Sequence, residues 1–265
     1  MTDTILRFVH ISDTHISANP DYGRGSWGAL HSTHEGAQAL VRQLNSLPFE
    51  PDFVLHTGDV AYDPDPSAYA VARDILEQIR YPVYYVAGNH DYPSELQRSM
   101  ARRDEILPSF YHTFEVNGVQ VVVLDSNGPA EPPRGFVIEE QLTWLANLCQ
   151  ADDSRPLIVA VHHPILPVGI PWLDDFMRTT NGEAVHHALT PARHRLRGVF
   201  FGHVHQNLDM YRDGILYAST LSSWGQFHAW PGQVETSADL GADLGFSVVT
   251  LTRDQTYIRR CRFDL

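Results

Sequence analysis

Residues 6–15 read LRFVHISDTH, a mostly apolar run from Leu6 to Ile11 that breaks into Ser12-Asp13-Thr14-His15. A short β-branched and aromatic run ended by polar turn formers is the pattern of a buried strand. Its chemistry lies at the C-terminal end, the edge where open α/β sheets collect their ligands. In extended backbone, residues i and i+2 point to one side, so Asp13 and His15 are expected to reach the same point. The arrangement recurs down the chain. Phe53–His56 runs into Thr57-Gly58-Asp59, and Val83–Ala87 into Gly88-Asn89-His90-Asp91. Val119–Asp125 is a further strand, Leu157–Val161 runs into His162-His163-Pro164, and Val199–Phe201 into Gly202-His203-Val204-His205, a second i, i+2 pair.

Helical patterns separate these strands. Ala37, Leu40, Val41, Leu44 and Leu47 share one helix face, with Ser32 and Glu35 spaced as a capping box. Ser67–Arg80 predicts a second helix, a third follows Pro93, and a fourth spans Ile138–Cys149. From Gly214 onward only strands are expected, at Ile215–Ser219, Phe246–Thr252 and Thr256–Phe263. Alternating strands and helices closed by a strand run indicate an α/β protein of stacked sheets with helices outside. Without repeats or a linker, residues 1–265 are read as one domain.

Composition narrows the chemistry. The net charge is −13, and all 19 basic residues are arginine. Lysine-dependent Schiff bases and the P-loop are therefore excluded. The acidic balance disfavours a nucleic-acid polymer as partner, although a bound metal can reverse the local sign for a small phosphorylated substrate. Cys149 and Cys261 are too few for a disulfide framework, no membrane span is evident, and the N-terminus lacks a signal-like basic segment. A soluble cytoplasmic protein, with homo-oligomerisation left open, is the expectation.

The strand-end blocks together supply Asp13, Asp59, Asn89 and several histidines. Mixed oxygen and imidazole donors suit Mn, Fe, Zn or Co better than calcium. They are too many for one tetrahedral ion, but two ions sharing a carboxylate would use them all.

Asp13-Thr14-His15, Gly58-Asp59, Gly88-Asn89-His90-Asp91, His162-His163-Pro164 and Gly202-His203-Val204-His205 resemble, in order and approximate spacing, the calcineurin-like metallophosphoesterases. The likeness spans about residues 5–220, and YPVYYVAGNHD (81–91), VHHP (161–164) and FGHVH (201–205) look most like the bacterial class III cyclic nucleotide phosphodiesterases and related glycerophosphodiesterases. The resemblance implies a four-layer αββα sandwich of two mixed sheets. It implies a first ion on Asp13, His15 and His205, a second on Asn89, His162 and His203, and Asp59 bridging. It also makes His90 the leaving-group histidine and places Asp91 and His163 behind the ligands. Ile165 stands where many relatives carry a second proline, and Asn207–Leu265 has only general likeness.

The expected function is a binuclear metal phosphodiesterase, with Mn or Fe first and Zn or Co as alternatives. The substrate would be a small diester, a cyclic nucleotide such as 3′,5′-cAMP or a glycerophosphodiester. Two such ions about 3.5–4 Å apart activate a bridging hydroxide for in-line attack on phosphorus. A phosphomonoesterase is the alternative, and a non-catalytic binding module the remote one. Gly23–Gly28 satisfies G-x-G-x-x-G but lies too far from its strand for dinucleotide binding. His31, His34, His186, His187 and His194 read as surface or supporting residues, and Arg193–Arg197 as a solvated face. Trp172 and Phe176 follow the His162 block and either meet substrate, form an oligomer contact or pack in the loop, and the Ser- and aromatic-rich stretch Thr220–Trp230 has the same three readings.

Overall fold

The computed structural model describes residues 3–26, 29–62 and 65–265. In chain order its elements are β1 (Thr4–Ile11), α1 (Thr33–Asn45), β2 (Phe53–His56), α2 (Pro66–Leu76), β3 (Val83–Tyr85) and α3 (Pro93–Glu95), which runs into a wide turn at Leu96–Met100. They continue with β4 (His112–Val116), β5 (Val119–Val123), α4 (Glu139–Gln150), β6 (Leu157–Ala160), α5 (Pro171–Phe176) and α6 (Gly182–Leu189). The chain closes with β7 (Leu196–Phe201), β8 (Asp209–Arg212), β9 (Ile215–Ser219), β10 (Leu244–Thr252) and β11 (Thr256–Phe263).

Two mixed sheets form, ordered β11-β10-β1-β2-β3 and β4-β5-β6-β7-β9-β8. The reason lies in the side-chain alternation of strands buried on both faces. Leu6 and Phe8 of β1 meet Phe53 and Leu55 of β2, Val121 and Val123 of β5, Ile158 of β6 and Phe200 of β7 between the sheets. Val9 and Ile11 face the other way, onto Leu40 and Leu44 of α1 and Leu76 of α2. Val122 and Val159 likewise pack outward on Leu145 of α4 and Val185 and Leu189 of α6. Three apolar layers thus separate four structural ones, helix, sheet, sheet, helix. Phe8 ties the sheets together, stacked on Phe53 at 5.0 Å and edge-on to Phe200 at 5.1 Å.

The capping box is present: the Ser32 hydroxyl accepts from Glu35 N at 3.3 Å, and Ser32 N donates to the Glu35 carboxylate at 2.8 Å. Among the described residues, no helix is long and apolar enough to cross a membrane. One expectation is corrected. Arg195 is not on a solvated face: it is buried, donating to Gln120 Oε1 at 3.0 Å, Arg155 O at 3.1 Å and Leu148 O at 3.3 Å. Its charge meets the carbonyl end of α4, where a cation is favoured. His186 is buried too, its Nδ1 paired with Tyr217 Oη at 2.7 Å and its Nε2 with Asp213 Oδ2 at 2.9 Å, so it ties α6 to β9. Of the Gly23–Gly28 loop, Trp27 and Gly28 lie outside the described residues, as does Pro64.

Candidate metal centre

The loops leaving β1, β2, β3, β6 and β7 meet at one edge of the sandwich. They are laced by backbone hydrogen bonds, Asp13 N to Gly58 O at 3.0 Å, His15 N to Asp59 O at 3.0 Å and Gly202 N to His162 O at 3.0 Å. Five of the residues singled out from sequence have left-handed backbone: Asp13 (φ 55°), His15 (45°), Asp59 (54°), His203 (69°) and His205 (47°). This corrects the expectation of extended i, i+2 pairs. The loops turn off their strands, and each pair converges because both members are left-handed. Such backbone costs a non-glycine residue of order 1 kcal/mol, together about 5 kcal/mol, comparable to the low end of a whole domain's stability. Strain of that size persists only where neighbours over-determine it, and it concentrates at functional sites.

The donor atoms form two sets that share a carboxylate. In the first, His15 Nε2 and His205 Nε2 are 3.1 Å apart, and they lie 3.9 and 3.5 Å from Asp13 Oδ1. In the second, His162 Nε2 is 3.1 Å from Asn89 Oδ1 and 3.1 Å from His203 Nδ1. Asp59 Oδ2 stands between them, 3.6 Å from His15 Nε2 and 3.3 Å from His162 Nε2. A single N–H on His162 can serve only one of its three close neighbours. Atoms bound about 2.0–2.2 Å from one cation at near-tetrahedral angles lie about 3.3–3.6 Å from one another. The observed separations bracket that spacing, so the residues fit a pair of divalent cations.

Further contacts fix which nitrogen faces inward. His162 Nδ1 pairs with Thr57 O at 2.7 Å and His205 Nδ1 with Gly225 O at 2.5 Å, leaving each Nε2 toward the carboxylates. Such outer partners set the tautomer of a ligating histidine. Gly88 shows how closely the shell is packed: a Cβ there would fall 2.2 Å from Asp59 Oδ1. At Gly58 a Cβ would fall 2.5 Å from His162 Nδ1, and φ is +102°.

Burial and neighbouring charge shift the groups of the site in different directions. Burial would raise Asp13, but the charge and hydrogen bond of His205 outweigh it and hold the carboxyl near about 2. Asp59 is likewise held well below its usual value against burial, chiefly by His162. Burial alone would keep His162 neutral, yet Asp59 beside it lifts its pKa to about 9. His15, where burial prevails over Asp59, falls to about 3.

His90 lies beside this centre, half-buried, with its backbone N donating to Asp59 Oδ1 at 2.8 Å and its ring 5.0 Å from that of His15. Asp91 faces away from the donor sets. Its Oδ2 accepts from Gly88 N at 3.0 Å and Val60 N at 3.2 Å, and its Oδ1 from Tyr69 Oη at 3.0 Å and Ala61 N at 3.2 Å. Burial, then the nearby Asp59, pushes its pKa up to about 6. Asp91→Ala would orphan all four donors, and we expect a loss of about 3–5 kcal/mol in unfolding free energy. Urea denaturation measures this, and a loss below about 1 kcal/mol would refute the clamp. His163 packs against His162 and His203, its Nδ1 2.7 Å from Ser126 Oγ. His31, His34, His186, His187 and His194 join none of the potential ligand groups among the described residues.

A cavity of about 250 Å³ opens over the donors. His15, Asp59, Asn89, His90, His203 and His205 line it, together with the aromatic and apolar Tyr62, Trp172, Phe176, Met177, Trp224 and Phe227. Trp172 and Phe176 therefore reach the site, which their sequence position alone left open. Trp224 and Phe227 of the Thr220–Trp230 stretch reach it as well, which the sequence had likewise left open.

Residues 6–207 match the family model described as calcineurin-like phosphoesterase, and the chain belongs to that family. It is accordingly a hydrolase of the phosphoesterase class. It is 28% identical over 238 residues to the 3′,5′-cyclic adenosine monophosphate phosphodiesterase CpdA of Pseudomonas aeruginosa, covering 90% of this chain and 83% of that protein. It is 29% identical to CpdA of Escherichia coli K12 over 84% of this chain and 78% of that one. Among solved structures it is similar to a dimetal phosphatase from Danio rerio, with a TM-score of 0.72 at 16% identity, covering 99% and 98% of the two chains. That likeness is one of fold.

Proposed function

We propose that this chain is a binuclear metal-dependent phosphodiesterase acting on a small diester, with a cyclic nucleotide as first candidate and a glycerophosphodiester as second. The observation that carries the reading is the placement of Asp59 Oδ2 between two histidine sets at the floor of the cavity. Asp13, His15 and His205 would hold one cation, Asn89, His162 and His203 the other, and Asp59 both. The donor set suits Mn or Fe, then Zn or Co. When bound, two such cations neutralise charge on the phosphoryl oxygens and supply an activated water.

The chain's own groups do the rest. His90, on the open side of the site, donates a proton to the departing alkoxide, a contribution of about 10²–10⁴ in rate. Asp91 fixes the loop that carries Asn89 and His90, and the carbonyls of Thr57 and Gly225 hold the facing imidazoles. The cavity is smaller than most ligand pockets, about 300–1,000 Å³, which favours a compact substrate over a polymer. Its aromatic wall offers flat apolar surface for a nucleobase. The names of the CpdA relatives support the same substrate class. Two unpaired cysteines agree with a reducing compartment.

Steady-state kinetics on 3′,5′-cAMP and glycerophosphoethanolamine test the choice. Half-exposed Phe176 at the cavity wall is the informative variant. Phe176→Ala is expected to raise KM for cAMP about 10-fold, one lost base stack of about 1–1.5 kcal/mol, with little change for the glycerol diester. Equal effects on both would remove the nucleobase from the reading.

A further inference from the structure

The orientation of His90 has an unusual source. Among the described residues, no side-chain hydrogen bond holds its imidazole. Its ring instead meets His15 edge-on at 5.0 Å and 78°, and Tyr62 face-on at 4.8 Å and 23°. Tyr62 is itself fixed. Its N–H donates to Ile16 O at 3.2 Å, and the flanking Val60 and Ala61 amides are held by the Asp91 carboxylate. A second ring, Tyr22, packs against Tyr62 at 4.4 Å, tilted by 30°. Tyr62 also lines the cavity over the donor atoms. Tyr22 in turn approaches Trp224 on the cavity wall at 6.1 Å.

We infer that Tyr62 is a positioning residue for His90: it acts as a ring clamped by Tyr22 that sets the plane of the imidazole toward the departing oxygen. The inference rests on the reading of His90 as the leaving-group acid. The stack needs an aromatic ring at position 62 and no hydroxyl, so phenylalanine should substitute and leucine should not. A misdirected acid loses proton transfer without losing substrate binding, and misplacement by a fraction of an ångström to one ångström costs up to about 10²-fold.

The test compares Y62L and Y62F with the native protein, all loaded with zinc, in two measurements. The first is the NMR shift of the His90 ring C–H protons, which the Tyr62 ring current moves upfield. The second is turnover on aryl and alkyl phosphodiesters of graded leaving-group acidity, with metal content checked by elemental analysis. Y62L should lose the upfield shift and fall about 10- to 100-fold on poorly acidic leaving alcohols, yet stay within about threefold on nitrophenyl esters, at unchanged metal content and KM. Y62F should retain both the shift and the rates. A retained shift in Y62L, a uniform loss across all leaving groups, or failure of Y62F to match the native protein would overturn the inference. If His90→Ala equals the native protein on every leaving group, the acid role falls and the inference falls with it. Native protein active on monoesters alone would instead defeat the diester reading, and the same comparison on aryl monoesters would still decide Tyr62.

Discussion

Asp59→Ala is expected to leave at most one divalent cation per chain and to lower turnover by about 10³-fold or more, the equivalent of about 4 kcal/mol. Asp59 Oδ2 faces the nearest histidine of each donor set, at 3.6 and 3.3 Å, so its removal weakens both. The loss goes beyond a missing ligand. Asp59 Oδ1 accepts from the His90 amide at 2.8 Å, and the alanine frees that amide and with it the backbone carrying His90. The imidazoles then left facing one another, His15 and His205 at 3.1 Å, have one carboxylate, Asp13, to oppose them. Elemental analysis after dialysis against Mn measures the effect. Two ions per chain at full occupancy in the variant would refute the shared carboxylate.

His90→Ala should behave differently. His90 lies outside the two donor sets as assigned, although its ring is near enough to His15 and Asp59 to form a potential ligand group with them. If it acts as acid, the alanine variant keeps both ions and loses about 10²–10⁴ in rate on alkoxide leaving groups such as a nucleoside hydroxyl. On nitrophenoxide, which departs without a proton, the loss should be about tenfold or less. Equal losses on both would make His90 a positioning or ligating residue. A fall in metal content would identify it as a ligand.

Much of the site was legible because its residues stand directly after apolar runs. Leu6–Ile11, Phe53–His56, Leu157–Val161 and Val199–Phe201 announce themselves by β-branched and aromatic content, and Asp13, Asp59, His162 and His203 follow within one to three positions. The two edge strands of the six-stranded sheet, β4 and β8, escaped notice. His112–Val116 and Asp209–Arg212 are short, mixed and largely solvent-facing, so no apolar run marks them. Edge strands are commonly kept polar in this way. The left-handed turns at Asp13, His15, His203 and His205 were illegible for another reason: they are imposed by hydrogen bonds between loops far apart in sequence, such as Asp13 N to Gly58 O. The same is true of Thr57 and Gly225, whose contribution is a backbone carbonyl with no side-chain signature. Arg195 was misjudged because its partners, the carbonyls of Leu148 and Arg155, exist only once α4 and β6 are packed.

The central claim is a binuclear centre that cleaves diesters, and one comparison tests it most directly. Mn-loaded protein is assayed on bis(p-nitrophenyl) phosphate beside p-nitrophenyl phosphate, with Asp59→Ala carried through as control. The account predicts a clear preference in kcat/KM for the diester, abolished in the variant. A preference for the monoester, or diester turnover that survives in Asp59→Ala, would contradict it.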